Sequence, residues 1–481
     1  MKVKRIDKIL NKLKDKILKY YKKNNLERSL KFLKTLSDVL YASNYQFADC
    51  FSEEMLKKIT MSILPEGVII EETSQCVIFY DGFGLLNRGL MKIYLSALNL
   101  KNEVIYIGKK ENLAVNEFLD TNDIKHVCLS SASETDKIKE LADIISDKKP
   151  LIFFNYTTPS DVVSNGVMSA LVGKTKRVMI NLTDHAYWLG SSYLDYSIEF
   201  RDYGASISYL FRNIPKEKLI KIPFYPVIDE NVPFKGFPFK KRDNDVVVFS
   251  GGSLYKTFDK SHSYYDIVEK LLTENDNLIF RYAGSGNRKY IDKIIKKFPN
   301  RCFLTSERDD LFQVLSHSTF YLSTYPVCGG LMYQYAAKAG KVPLTLLHSD
   351  ISDDFLLNQS ELNIDFKNSE ELLNEANKLI TDKGYRDSRS VIMKNSVTSK
   401  EEFNNNVDLF VDSFTSNLNI NYKIYDLNKF KTMYLINFTY KEFCNIIAQK
   451  DCVFFLKDFL FSYCFGAFNK ICSKIKNRKE D

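Results

Sequence analysis

Residues 246–256, VVVFSGGSLYK, run from an uninterrupted apolar segment straight into a glycine pair and a lysine. An apolar run without polar alternation suits a strand buried on both faces, as in a parallel sheet. Such a strand needs partners. NLIFRYAG (277–284), RCFLTS (301–306), TFYLST (319–324) and KVPLTL (341–346) follow, separated by helical segments. Upstream the same alternation occurs in CVIFY (76–80), EVIYIG (103–108), KHVCLS (125–130), LIFFN (151–155) and RVMINL (177–182). Strands alternating with helices predict βαβ units, so the chain reads as α/β with two successive doubly wound domains. Between them lies NVPFKGFPFKKRDND (231–245), whose prolines and charges read as a linker. The expected divisions are a helical extension at 1–64, domains at 65–237 and 238–400, and a helical region at 401–481.

The two ends are unlike the body. The chain has 481 residues and a net charge of +8, but residues 1–34 alone carry +10 and residues 466–481 carry +3, leaving −5 between them. A nucleic-acid partner would want the basic residues on the body, so none is expected. Ile6, Ile9, Leu10, Leu13, Ile17 and Tyr20 recur at helical spacing, with lysines opposite. Such a helix suits an anionic membrane surface, or it packs on a neighbouring helix at 27–42. No segment is apolar enough to span a bilayer: the best, CVFFLKDFLFSYCFGAF (452–468), is broken by Lys457 and Asp458. Nine scattered cysteines without a CxxC pair, and a lysine-rich start without a leader pattern, predict a cytoplasmic protein with reduced thiols, its ends at the inner face of the membrane.

In open parallel sheets ligands bind beyond the carboxyl ends of the strands. In the second half those positions hold Gly251, Gly252, Ser253 and Lys256, then Gly284, then Glu307 and Arg308, then Gly329 and Gly330 opening the helix that carries Gln334. Each glycine loop taken alone reads as an ordinary tight turn. Four on one sheet edge predict a diphosphate site, because glycine lets backbone amides and a helix N-terminus approach an anion. In the first half the strand ends hold Asp81, Gly84 and Asn87, and then Asp184, His185 and Trp188. A histidine beside a carboxylate at a strand end can serve as a general base, or be merely a hydrogen-bonded structural residue. No HExxH, Walker loop or GxSxG elbow occurs.

The run NLTDHAYWLGSSYLDYSIEFRDYG (181–204), with Arg212 and IPFYP (222–226), resembles a stretch of bacterial glycosyltransferases of the GT-B fold, which carry an ADHxFWLG-like run in the first domain. VVVFSGGS, FRYAGSGN, ERDDLFQVLSHSTFYLST and CGGLMYQYAAKAGKVPL resemble their donor domain in the same order. The resemblance implies two Rossmann-like domains facing a cleft, with a nucleotide-diphosphate sugar on the second and a glycan or lipid-linked acceptor on the first. It puts Gly251, Gly252, Ser253, Lys256, Gly284, Gly329 and Gly330 at the donor phosphates, Glu307 or Arg308 near the base, and Gln334 at the ribose. Asp184 and His185 would face the acceptor hydroxyl, with Asp81, Gly84, Asn87 and Trp188 lining its cleft. Two glutamates that many retaining members place around the glycine pair are replaced here by Val327 and Tyr335. Metal-independent transfer in surface-glycan synthesis is the expectation. The alternatives are a sugar-nucleotide epimerase and a non-catalytic partner or scaffold on the same fold.

Overall fold

The computed structural model describes residues 3–44, 46–84, 90–229, 231–240, 242–259, 261–347, 354–428 and 443–446. They form two compact units, one from Met1–Ile222 with Asn404–Asp481 and the other from Pro223–Phe403.

The first unit opens with three helices, α1 (Val3–Lys22), α2 (Leu26–Ser43) and α3 (Cys50–Ile63). Ile6, Ile9, Leu10, Leu13 and Ile17 of α1 are all buried in one cluster with Leu30, Leu33 and Leu36 of α2. The apolar stripe therefore packs inside the protein and is not available to a membrane. Burying each such side chain is worth about 1.5–3 kcal/mol, several times what a lysine gains at a lipid surface. Asn44, in the left-handed conformation, stops α2, and Asp49 caps α3 by accepting from the Ser52 amide.

A parallel seven-stranded sheet follows. Its strands and helices run β1 (Val68–Ile70), β2 (Cys76–Asp81), α4 (Leu90–Leu98), β3 (Glu103–Gly108), α5 (Leu113–Thr121), β4 (Lys125–Cys128), α6 (Glu134–Lys148), β5 (Ile152–Tyr156), α7 (Val162–Ala170), β6 (Leu171–Gly173), β7 (Lys176–Asn181), β8 (Tyr196–Glu199), α8 (Asp202–Arg212) and β9 (Leu219–Lys221). Their order is β4-β3-β2-β5-β7-β8-β9, with β1 and β6 paired separately. Every residue of β2 and β5 is buried, as expected for central strands covered on both faces.

The second unit runs β10 (Val246–Gly251), α9 (Ser263–Glu274), β11 (Leu278–Ala283), α10 (Ile291–Lys297), β12 (Cys302–Thr305), α11 (Leu311–Ser316), β13 (Phe320–Leu322), α12 (Gly330–Lys338), β14 (Pro343–Leu346), β15 (Asp365–Phe366), α13 (Ser369–Thr381) and α14 (Lys383–Asn395), before α15 (Lys400–Ser413). Its parallel sheet has the order β12-β11-β10-β13-β14-β15.

The division between units falls at 222/223, earlier than the linker suggested. The expected linker is a strap of rings on the second unit: Phe234 stacks on His317 at 3.9 Å, Phe237 lies over Arg281 at 5.1 Å, and Phe239 stacks on Phe303 at 4.9 Å. Three partly buried phenylalanines within six residues pack on this unit, so the segment is held against it rather than running free as a connector. The chain beyond Asn404 returns to the first unit, where Phe410 and Phe414 pack on Tyr196 and Lys101 pairs with Asp408 at 2.9 Å. No helix among the described residues is long and apolar enough to cross a membrane.

Candidate active site

In the second unit the strand order reverses between β10 and β13, the position where doubly wound sheets leave a crevice. The loops after these two strands meet there. Val327 donates its amide to the Lys256 carbonyl at 3.3 Å. The Lys256 ammonium lies only 3.8 Å from where a side chain on Gly329 would begin. Gly329 is the N-cap of α12 and, having no side chain, makes no side-chain cap to the amides of that helix's first turn. A cation beside uncapped helix amides favours an anion.

The other predicted donor residues sort differently. Gly251 lies within β10, paired with Ala283, and the Gly252 amide is bonded to the Ala283 carbonyl at 2.9 Å. Neither amide is the phosphate donor expected. Their value is steric: a side chain on Gly284 would begin 2.0 Å from the Gly252 carbonyl oxygen, and Gly252 itself has φ +128°. Gly330 is likewise held by the Phe355 ring, 2.5 Å from a would-be Cβ. Ser253 precedes a single 3-10 turn and leaves its own side chain half-buried. Glu307 is exposed and accepts from the Ser285 hydroxyl at 3.1 Å.

Two donor expectations are overturned. Arg308 is engaged by both oxygens of Asp310, through Nε at 2.6 Å and through Nη2, so its fork is not turned to a base. Gln334 is 3% exposed and donates to the Phe224 and Phe355 carbonyls, which ties the chain's entry into this unit to α12 instead of meeting a ribose.

In the first unit the loop after β7 carries the histidine. Asp184 is 1% exposed and grips Arg201, with Nε at 2.5 Å and Nη2 at 3.1 Å. Burial alone would raise its pKa, but the Arg201 guanidinium and His185 outweigh that and hold the carboxyl well below the usual range. His185 Nδ1 sits 3.4 Å from Asp184 Oδ1, while half of the His185 side chain (49%) is exposed. So His185 faces solvent with a permanently ionised carboxylate behind it, the arrangement that orients an imidazole for proton transfer. Asp184, buried and paired with Arg201, cannot itself face an acceptor.

Of the remaining first-half expectations, Trp188 and Asp81 are corrected. Arg212 is buried and donates through Nη2 to the carbonyls of Thr183, Asp184 and Ala186, stapling the turn. Trp188 is buried with that guanidinium 5.1 Å from its ring, so it lines no cleft. Asp81 is buried too, accepting from the amides of Phe83 and Gly84 and from the Tyr106 hydroxyl. It shapes the loop after β2, and burial raises its pKa. Gly84, at φ +60°, has open space about it and accepts from Asn112. Asn87 lies outside the described residues.

Sequence reasoning missed the charged cluster at this sheet's own switch point, between β2 and β5. Buried Lys109 pairs with Asp161 at 3.0 Å and reaches Glu134 at 3.6 Å. Asp161 also caps α7, and with Thr157 it leaves no room for a side chain on Gly82. Asp161 ends the run NYTTPSD (155–161) at a strand end, whereas Lys109 sits in GKKEN (108–112) and has no local signature.

No family model matches the chain, and no curated protein matches it in sequence. Solved structures do match in fold. An O-GlcNAc transferase of Thermobaculum terrenum is 13% identical with a TM-score of 0.50, over 85% of this chain and 81% of that one. HepE of Anabaena, solved with UDP and glucose, is 14% identical with a TM-score of 0.52, over 71% of this chain and 100% of that one. A glycosyltransferase of Rickettsia africae is 13% identical with a TM-score of 0.51, over 70% and 98%. What the chain shares with them is architecture: two units built on parallel, doubly wound sheets, with helical additions, the GT-B fold.

Proposed function

We propose that this protein is a glycosyltransferase that moves a sugar from a nucleotide-diphosphate donor to an acceptor hydroxyl, in the synthesis of a bacterial surface glycan. The observation that carries the reading is the convergence of Lys256 and Gly329 at the uncapped start of α12. In this reading the helix amides and Lys256 take up the charge of the leaving diphosphate, which requires no metal. His185, oriented by Asp184, accepts the proton of a hydroxyl on a glycan or lipid-linked acceptor. The retaining-type glutamates are absent from Val327 and Tyr335, and Tyr335 instead bonds the Val227 carbonyl.

The test begins with UDP and GDP in a thermal-shift experiment. One of them raises the melting temperature of the native chain, and Lys256→Ala weakens that binding about tenfold. A chain that binds neither is a scaffold. Incubation of donor alone then separates transfer from epimerisation, since an epimerase converts it without an acceptor. With donor and acceptor in hand, His185→Ala lowers kcat by about 10²–10⁴. A loss below tenfold rules out the base role.

A further inference from the structure

Helices α2 and α3 bond to the histidine loop at several points along its path. Asn44, at the end of α2, donates its side-chain amide to the His185 carbonyl at 2.8 Å. Ser37 of α2 lies 3.5 Å, hydroxyl to hydroxyl, from Tyr187. Glu53 of α3 accepts from the Gly190 amide at 2.9 Å. Tyr193 closes the loop by donating to the Glu53 carbonyl. Tyr187, Trp188, Leu189 and Tyr193 lie in the same apolar cluster as α1, α2 and α3.

We propose that this helical extension is a clamp that sets His185, with Asn44 and Glu53 as its positioning residues. The physical argument is one of supply. Residues 182–195 join β7 to β8 without regular structure, so their backbone groups have few partners within the loop. The extension provides them: an amide donor for the carbonyl of His185, a carboxyl oxygen for the Gly190 amide and a backbone carbonyl for the Tyr193 hydroxyl. Gly190 fits because its φ of +107° and the Asn165 side chain, 2.2 Å from a would-be Cβ, admit no larger residue. The clamp and the Arg212 staple hold neighbouring carbonyls of the turn and leave the His185 side chain half exposed. The inference rests on the function reading for its catalytic meaning, but its geometry is testable without it.

Trp188 is the only tryptophan in the chain and reports on this loop directly. Asn44 has φ 44°, so Asn44→Gly keeps the helix stop and deletes only the side-chain bond. In the full chain Asn44→Gly and Glu53→Ala are expected to shift Trp188 emission to longer wavelength and raise its acrylamide quenching about twofold or more. Glu53→Gln, which keeps an acceptor for Gly190, restores the native emission. In transfer, Asn44→Gly lowers kcat about fivefold, the rate equivalent of one hydrogen bond, with the donor KM unchanged. It has no further effect in a His185→Ala background. Native Trp188 emission in both Asn44→Gly and Glu53→Ala overturns the clamp. So do losses that simply multiply with that of His185→Ala. If His185→Ala alone leaves transfer intact, the base role fails, and the clamp is then judged on Trp188.

Discussion

Glu53 shows how far a single residue's chemistry depends on its surroundings. Burial pushes its pKa up from 4.5 to about 7, against the loop amides that favour the anion and in concert with nearby Asp49. A raised carboxylate pKa means the native state holds the proton between about pH 4.5 and 7 while the unfolded chain has released it. Stability contributed by the protonated form is therefore present in full at low pH and lost as pH rises through this window. The loss is about 3 kcal/mol at 1.36 kcal/mol per pKa unit. Glu53→Gln, with no proton to lose, is expected to be more stable than the native chain at pH 8 and to show a flatter profile. Urea unfolding at pH 5, 6, 7 and 8 reads this; equal slopes for both proteins refute it. Arg281 is the opposite case at this scale. It is fully buried under Phe237, and burial together with the neighbouring Arg308 lowers its pKa to about 10. Within FRYAG nothing marks it as different from a surface arginine.

At the scale of elements, period and partner are separate questions. The sequence of α1 specifies an amphipathic helix, and the structure contains one, but amphipathicity does not say which apolar surface receives the stripe. Leu13 decides between the two readings because it is wholly buried against α2. Leu13→Asp is expected to cost more than about 3 kcal/mol, by cavity, desolvation and an unpaired charge together. A chain that keeps its unfolding midpoint and loses only vesicle binding would restore the membrane reading. The strap at 231–240 teaches the same lesson. Its prolines and lysines read as linker, yet Phe234, Phe237 and Phe239 each find a ring or a cation to cover. All ten strands read from apolar runs are present. Those not foreseen, such as β1, β6, β8 and β9, are two to four residues long and exist because a neighbouring strand pairs with them.

For the whole molecule, the charge distribution outlives the loss of its apolar partner. With the α1 stripe buried, Lys8, Lys12, Lys19, Lys22 and Lys23 remain on the exposed side of the first unit. Membrane attraction, on our reading, is then electrostatic alone, at about 1 kcal/mol per lysine near the headgroups. Sedimentation with vesicles containing about a third phosphatidylserine should show binding at low salt. That binding should vanish at high salt, where the screening length falls to a few ångströms. Binding that survives high salt points to inserted apolar residues instead.

The order of strands and helices, the glycine-punctuated sheet edges and the helix that begins at Gly330 were legible in the chain itself. They depend on hydrophobic period and on the steric freedom of glycine, which are local properties. The candidate site was legible only in outline. His185, Lys256 and Gly329 stay where the sequence places them, at strand ends and accessible to a ligand's chemistry. Asp81, Asp184, Trp188, Arg308 and Gln334 do not. Each is polar or aromatic at the right point of the chain, but whether such a side chain meets a ligand or a neighbour depends on what folding brings within a few ångströms of it. For these five the partners are Tyr106, Arg201, Arg212, Asp310 and the Phe224 carbonyl, and for Gln334 that partner is 110 positions away in the chain. A buried polar group must take the partner nearest in space, and nearness in space is what tertiary structure alone decided.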